Sequence, residues 1–251
     1  MKYNWNWGIF WQLSPDGHGT YLDTLLTGLG WTLATALAAW LIALALGMVV
    51  GVVRTTPVNW MRRAGDAWVE VFRNVPLLVQ MFIWFFVVPE LLPASVGAWL
   101  KQLPRSAFYT AVVCLGLYTS ARVAEQVRAG IQSLASGQRM AGIALGLTLP
   151  QTYRYILLPM AIRIVMPPLT SEFMNVIKNS AVALTIGLVE LTASARSMQE
   201  FSFQVFEAFT AATLIYMALN LIVVRGMRWL ERRLAVPGLL GAGQAMPQAG
   251  H

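Results

Sequence analysis

Residues 137–159 read GQRMAGIALGLTLPQTYRYILLP, the longest interior stretch that cannot sit in a membrane as it stands. The segment carries Arg139 and Arg154, breaks at Gly146 and closes with Pro159. Apolar runs of membrane length lie on both sides of it. An amphipathic segment held at the membrane face by spans before and after it is well placed to touch a soluble partner.

The composition agrees with that arrangement. Of the 251 residues, 57% are hydrophobic and only 12% charged, against about a quarter charged in soluble domains. A chain of this length has room for about five or six spans of roughly 20 residues. A water-soluble fold with so little charge would expose large apolar patches. The net charge of +7 reads as the loop bias that orients membrane proteins rather than as a nucleic-acid footprint. The single cysteine, Cys114, lies in an apolar run and reads as packing. His18 and His251 have no second ligand nearby, so no metal site is expected. The N-terminus, with one early basic residue and an apolar run that starts only after Asp23, is not expected to be a cleaved signal.

Residues 1–23 are rich in tryptophan and tyrosine and suit a membrane interface. Five spans are expected, at about 24–53, 66–93, 106–131, 160–178 and 206–224, within a membrane domain of 24–233. The fourth should be broken by Pro167-Pro168. Residues 181–194 read as a short helical, partial or re-entrant segment, and 234–251 as a disordered tail. Eleven Lys and Arg in the loop after span one, in 128–163 and after span five face only three on the opposite side. The N-terminus is therefore expected outside and the C-terminus inside, with 137–159 in the cytoplasm. No internal repeat is visible.

Polar residues within spans are costly to desolvate and mark cavities or partners. Glu172, Asn175 and Asn179 recur at helical spacing beside Lys178. They could line a solute path or hold helices together. Arg73 and Asn74 open the second span, either as a snorkelling boundary pair or as a solute contact. Arg122, Glu125 and Arg128 are spaced three apart and read as a local ion-pair ladder. No phosphate-binding loop, zinc signature or nucleophile elbow is present, so neither ATP cradling nor hydrolysis is expected from this chain.

The opening segment resembles the cytoplasmic signature of ABC-importer membrane subunits, E-A-A-x3-G-x9-I-x-L-P. The frame here is Met140-Ala141-Gly142, then Gly146, nine residues, and Ile156-Leu157-Leu158-Pro159. Met140 stands where the family has Glu and Gly142 where it has Ala. The likeness continues in 71–80 (VFRNVPLLVQ), in 167–173 (PPLTSEF) with Lys178-Asn179-Ser180, in 4–10 (NWNWGIF) and in 121–133. These look like the polar amino-acid (HisMQ-type) permeases, and the glutamate/aspartate import permeases of Gram-negative bacteria in particular.

That resemblance implies an all-α, five-span type I importer domain in the bacterial inner membrane. It implies a coupling segment at 137–159, with Met140, Ala141, Gly142, Gly146, Ile156, Leu158 and Pro159 as its key positions. Two cytoplasmic ATPase subunits, a second permease subunit of paralogous sequence and a periplasmic amino-acid-binding protein would be its partners. No cofactor is expected in this chain, with ATP and Mg on the partner ATPase. Arg73, Asn74, Glu172, Asn175, Lys178 and Asn179 are the candidates for the path of an acidic amino acid. A sister substrate such as glutamine, arginine or histidine, or an ion-driven secondary transporter, are the competing readings.

Overall fold

A computed structural model describes residues 3–15, 17, 19–134 and 136–234. The described residues are helical apart from connections and one isolated bridge, Leu13 to Thr20. Helix α1, Tyr21–Val53, opens on a reciprocal cap between Thr20 and Asp23. It then runs 33 residues without another charge, or about 50 Å at 1.5 Å per residue. Helix α2 is Asn59–Asn74 and α3 is Leu77–Leu91, and their axes bend by 100°. The bend falls at Val75, which is extended because the ring of Pro76 excludes the helical region for the residue before it. The expected span over 66–93 is thus two elements. Residues 66–74 belong to the amphipathic α2, and the apolar helix α3 starts at Leu77.

Helices α4 (Ala94–Gln102), α5 (Ser106–Gln132) and α6 (Ser136–Ala144) follow, then α7 (Leu149–Ile186), α8 (Leu191–Ser202) and α9 (Val205–Leu234). Four helices (α1, α5, α7 and α9) are long and apolar enough to cross a membrane, and the bent α2–α3 pair makes a fifth. The core forms where α5 packs along α1. A Cβ on Gly47 would lie 2.5 Å from Val123 Cβ, and one on Gly51 2.7 Å from Val127 Cβ. Glycine therefore lets the two backbones close up, as small residues do in membrane helix pairs.

Helix α7 runs through Pro167-Pro168 without a break, contrary to expectation. The two prolines leave only the carbonyls of Arg163 and Ile164 without their helical donors. The helix is clamped on both sides of the pair by buried Val165, Met166 and Leu169. Prolines are tolerated inside membrane helices when neighbours hold the geometry in this way. The interruption lies further on. Ser180–Ile186 tightens to a 3-10 helix, Gly187 turns at φ 89, and Glu190 starts α8 in extended backbone. The expected helical piece at 181–194 is therefore the end of one helix, a turn, and the start of another.

Two π turns, Ile83–Val87 and Tyr153–Leu157, lie just ahead of Pro89 and Pro159. The amides of Val88 and Leu158 reach back five residues, to Ile83 and Tyr153. The wider turn draws the chain away from the clash between a proline ring and the carbonyl four residues earlier. Outside the spans, the N-terminal segment is stapled to α9. The Tyr3 hydroxyl donates to Glu207, and the Asn6 amide donates to its Oε1 at 2.7 Å.

Candidate functional site

The 137–159 segment folds as two helices at a tight turn. Helix α6 ends in a pair of capping bonds, Leu147 N to Gly142 O at 3.1 Å and Gly146 N to Ile143 O at 2.9 Å. Gly146 sits at φ +77, the left-handed conformation that closes such a cap. One residue later Thr148 and Gln151 form a reciprocal cap that starts α7. Met140, Ile143 and Leu145 point outward, with Met140 64% and Leu145 79% exposed. Ile156 and Leu158 turn the other way and pack against the core with buried Leu157. One face of the segment is thus apolar and free, while the other anchors it.

Gly142 is buried where the signature has alanine. A Cβ there would meet Thr152 Cγ2 at 2.9 Å and Ile156 Cδ1 at 3.0 Å. Thr152 already occupies the volume that an alanine methyl would need. Gly142→Ala should therefore lower stability by about 1 kcal/mol, and the same change should be neutral or stabilising on a Thr152→Ala background. Melting temperatures of the four purified variants measure that coupling.

The base of the segment is tied to the end of α1. The Tyr153 hydroxyl donates to Thr55 O at 2.8 Å and lies 3.1 Å from Thr55 Oγ1. The neighbouring Arg54 bonds Asp66 of α2 at 2.7 Å and Glu125 of α5 at 2.6 Å. Arg128 also bonds Glu125. The expected ladder of Arg122, Glu125 and Arg128 is only half formed, because Glu125 serves Arg54 as well and Arg122 turns elsewhere. Arg73 approaches Glu125 at 3.9 Å, so the structure gathers it, with Asn74 beside it, at this corner.

Arg122 faces the polar stripe of α7. Its Nη1 lies 4.0 Å from Glu172 Oε1, and its Nη2 donates to the Tyr118 hydroxyl at 3.0 Å. Glu172 is 8% exposed, and its Oε2 has no hydrogen-bond partner among the described residues. Asn175 and Asn179 are half-buried on the same side of the helix, and Lys178 is exposed. The stripe therefore offers both signs of charge, a carboxyl with spare acceptor capacity, and two amides. A zwitterion needs that combination.

Two buried acids, Glu190 and the Glu207 that holds the N-terminal segment, lie outside this stripe. Glu190 is fully buried and accepts from the Thr192 and Ala193 amides at 3.0 and 2.8 Å. It also accepts from the Tyr216 hydroxyl at 2.8 Å and the Thr32 hydroxyl at 3.4 Å. Sequence reasoning passed over it because its partners come from α1 and α9. The one local sign is an acid just ahead of a helical run, a common N-cap pattern. A cavity of about 640 Å³ opens among Trp84, Phe85, Tyr109 and the Glu90–Lys101 pair, and no residue of the polar stripe lines it.

Comparison with known proteins follows the same lines. The chain is 48% identical to the glutamate/aspartate import permease GltJ of Escherichia coli K12 over 96% of this chain and 99% of that one. It is 34% identical to the probable glutamine ABC transporter permease GlnM of Bacillus subtilis 168, over 87% and 95%. An amino-acid ABC transporter crystallised with histidines superposes with a TM-score of 0.72 at 30% identity, over 85% of this chain and 95% of that one. The methionine transporter MetNI, inward facing, gives 0.73 at 19% identity over 89% and 100%, a likeness of fold alone. Residues 43–236 match the family of inner-membrane components of binding-protein-dependent transport systems, and to that family this multi-pass chain belongs.

Proposed function

We propose that this chain is the permease subunit of an ATP-driven importer of acidic amino acids, glutamate and aspartate. The 48% identity, over nearly the whole of both chains, with a permease named for glutamate/aspartate import carries the reading. The N-terminus lies in the periplasm, the C-terminus in the cytoplasm, and 137–159 docks on a cytoplasmic ATPase. Two such ATPases, a paralogous second permease and a periplasmic binding protein complete the importer. ATP and Mg bind on the ATPase, since this sequence has no phosphate loop.

Docking through α6 is apolar. Met140, Ile143 and Leu145 are exposed, so the contact needs no glutamate at the first signature position. Ala141 and Gly142 keep that helix slim. Gly146 sets the angle to α7, and Ile156, Leu158 and Pro159 seat the segment against the spans. A push on α6 reaches α1 through Tyr153 and Thr55, and reaches α2 and α5 through Arg54.

Along the solute path, Glu172 partners the α-ammonium, Lys178 and Arg122 the carboxylates, and Asn175 and Asn179 the remaining donors and acceptors. Arg73 and Asn74 belong to the inner end of that path, beside Glu125. Glutamine is the second reading, because relatives named glutamine permeases also match over most of the chain. ATP hydrolysis by the complete complex in proteoliposomes separates the two. Stimulation by glutamate and aspartate with the binding protein present is the expected result. Stimulation by glutamine, arginine or histidine instead overturns the substrate, and uptake by this chain without an ATPase overturns the class.

A further inference from the structure

Helix α2 has three faces, and each points to a different surrounding. Gly65 and Val69 are buried, and Trp68 and Phe72 pack beside them, with the Trp68 indole donating to Ser120 Oγ at 3.0 Å. That face holds the helix against α5. A second stripe, Trp60, Ala64, Ala67 and Val71, recurs at spacings of four, three and four and is exposed throughout. Trp60 is 71% and Val71 58% exposed. The third face carries Arg62, Arg63, Asp66, Glu70 and Arg73. Asp66 is taken by Arg54, and Arg73 leans to Glu125. Arg62 bonds only Asn59 Oδ1, at 3.2 Å, and Arg63 has no ion pair among the described residues. Glu70 lies two turns beyond Arg63.

The 100° bend at Val75-Pro76 sets the orientation of these faces. If α3 crosses the bilayer, α2 lies nearly in its plane. A helix lying there, with tryptophan on an apolar stripe and arginines on the next face, has the pattern of an interfacial lipid contact. We propose that α2 is an anionic-phospholipid site. Arg62 and Arg63 hold the phosphate-bearing headgroups, while Trp60, Ala64, Ala67 and Val71 lie at the acyl boundary. The charge pattern selects that occupant: Arg63 adjoins the apolar stripe and Arg62 lies further round the same charged face, neither in an ion pair among the described residues, and the two match a negative headgroup carried on an apolar chain. Trp60, Arg62, Arg63, Ala64, Ala67 and Val71 are distinct from Arg73 and Asn74 at the end of α2 and from the 137–159 segment.

The test reads lipid contact directly and needs no transport. The one cysteine, Cys114, is fully buried, so a bimane on Ala64→Cys reports α2 alone. The complete importer is placed in vesicles of phosphatidylcholine and phosphatidylglycerol, with bromines on the acyl chains of one lipid or the other. Brominated phosphatidylglycerol should quench the label more than brominated phosphatidylcholine. The preference should be on the order of fivefold per arginine. It should fall to parity in Arg62→Gln/Arg63→Gln, a surface pair whose loss leaves the packed face intact. Quenching by neither lipid would mean that a protein subunit covers the stripe and would overturn the proposal. Equal quenching by both lipids in the parent protein would overturn the role of the arginines.

Discussion

Gly146→Val should reduce uptake of labelled glutamate by at least about tenfold while the chain still inserts and assembles. The backbone at 146 is left-handed, at φ +77, with open space where a side chain would go. The obstacle is therefore conformational. A left-handed backbone costs a side-chain-bearing residue roughly 1–2 kcal/mol, and β-branching adds to that. The chain escapes the strain by opening the turn, which releases the bonds from Leu147 and Gly146 to the end of α6. The free apolar face of α6 then points away from the proposed ATPase seat. Gly146→Asn is the matched comparison, because asparagine enters the left-handed region readily. It should retain more than about half the uptake. Equal activity in the Val and Asn variants would remove the turn from the coupling mechanism.

Glu190→Ala should weaken the fold by on the order of 2 kcal/mol, seen as a lower melting temperature in detergent. The carboxyl caps α8 by accepting two backbone amides and also receives hydroxyls from α1 and α9. Loss of the cap accounts for about 1 kcal/mol. The Thr32 hydroxyl, left buried without an acceptor, adds on the order of 1 kcal/mol. Tyr216 keeps a fallback, since its hydroxyl also lies 3.1 Å from Thr192 Oγ1. Tyr216→Phe on the alanine background should therefore lose little more. A melting temperature unchanged in Glu190→Ala would show that water reaches this point.

The helices with charge-free runs were legible in the sequence, because desolvation leaves such runs nowhere else to go. Thr24 to Val53 and the run after Ser106 needed no more than that. The 137–159 turn was legible through the spacing from Gly146 to Pro159, since a left-handed glycine has few uses. The α2–α3 corner was missed. Its signs were present, namely Pro76 and a helical alternation of arginine and tryptophan before it, but the apolar run from Val75 drew the boundary too early. Pro167-Pro168 misled in the opposite direction. A proline's local effect is visible in sequence, whereas the packing of Val165 and Leu169 that overrides it comes from distant elements. Arg122 facing Glu172, and the Thr32 and Tyr216 hydroxyls converging on Glu190, are likewise long-range, with no spacing to announce them.

Helix α8 begins at an interruption, and a helix beginning among buried residues presents a positive end to anything negative nearby. Here Glu190, a side chain of the same chemistry as the proposed cargo, already fills that end. An anion reaching that point therefore finds the helix end already filled. A conduit has to release what it receives. By filling this helix end with its own carboxylate, the chain keeps one ready anion trap out of the proposed solute path.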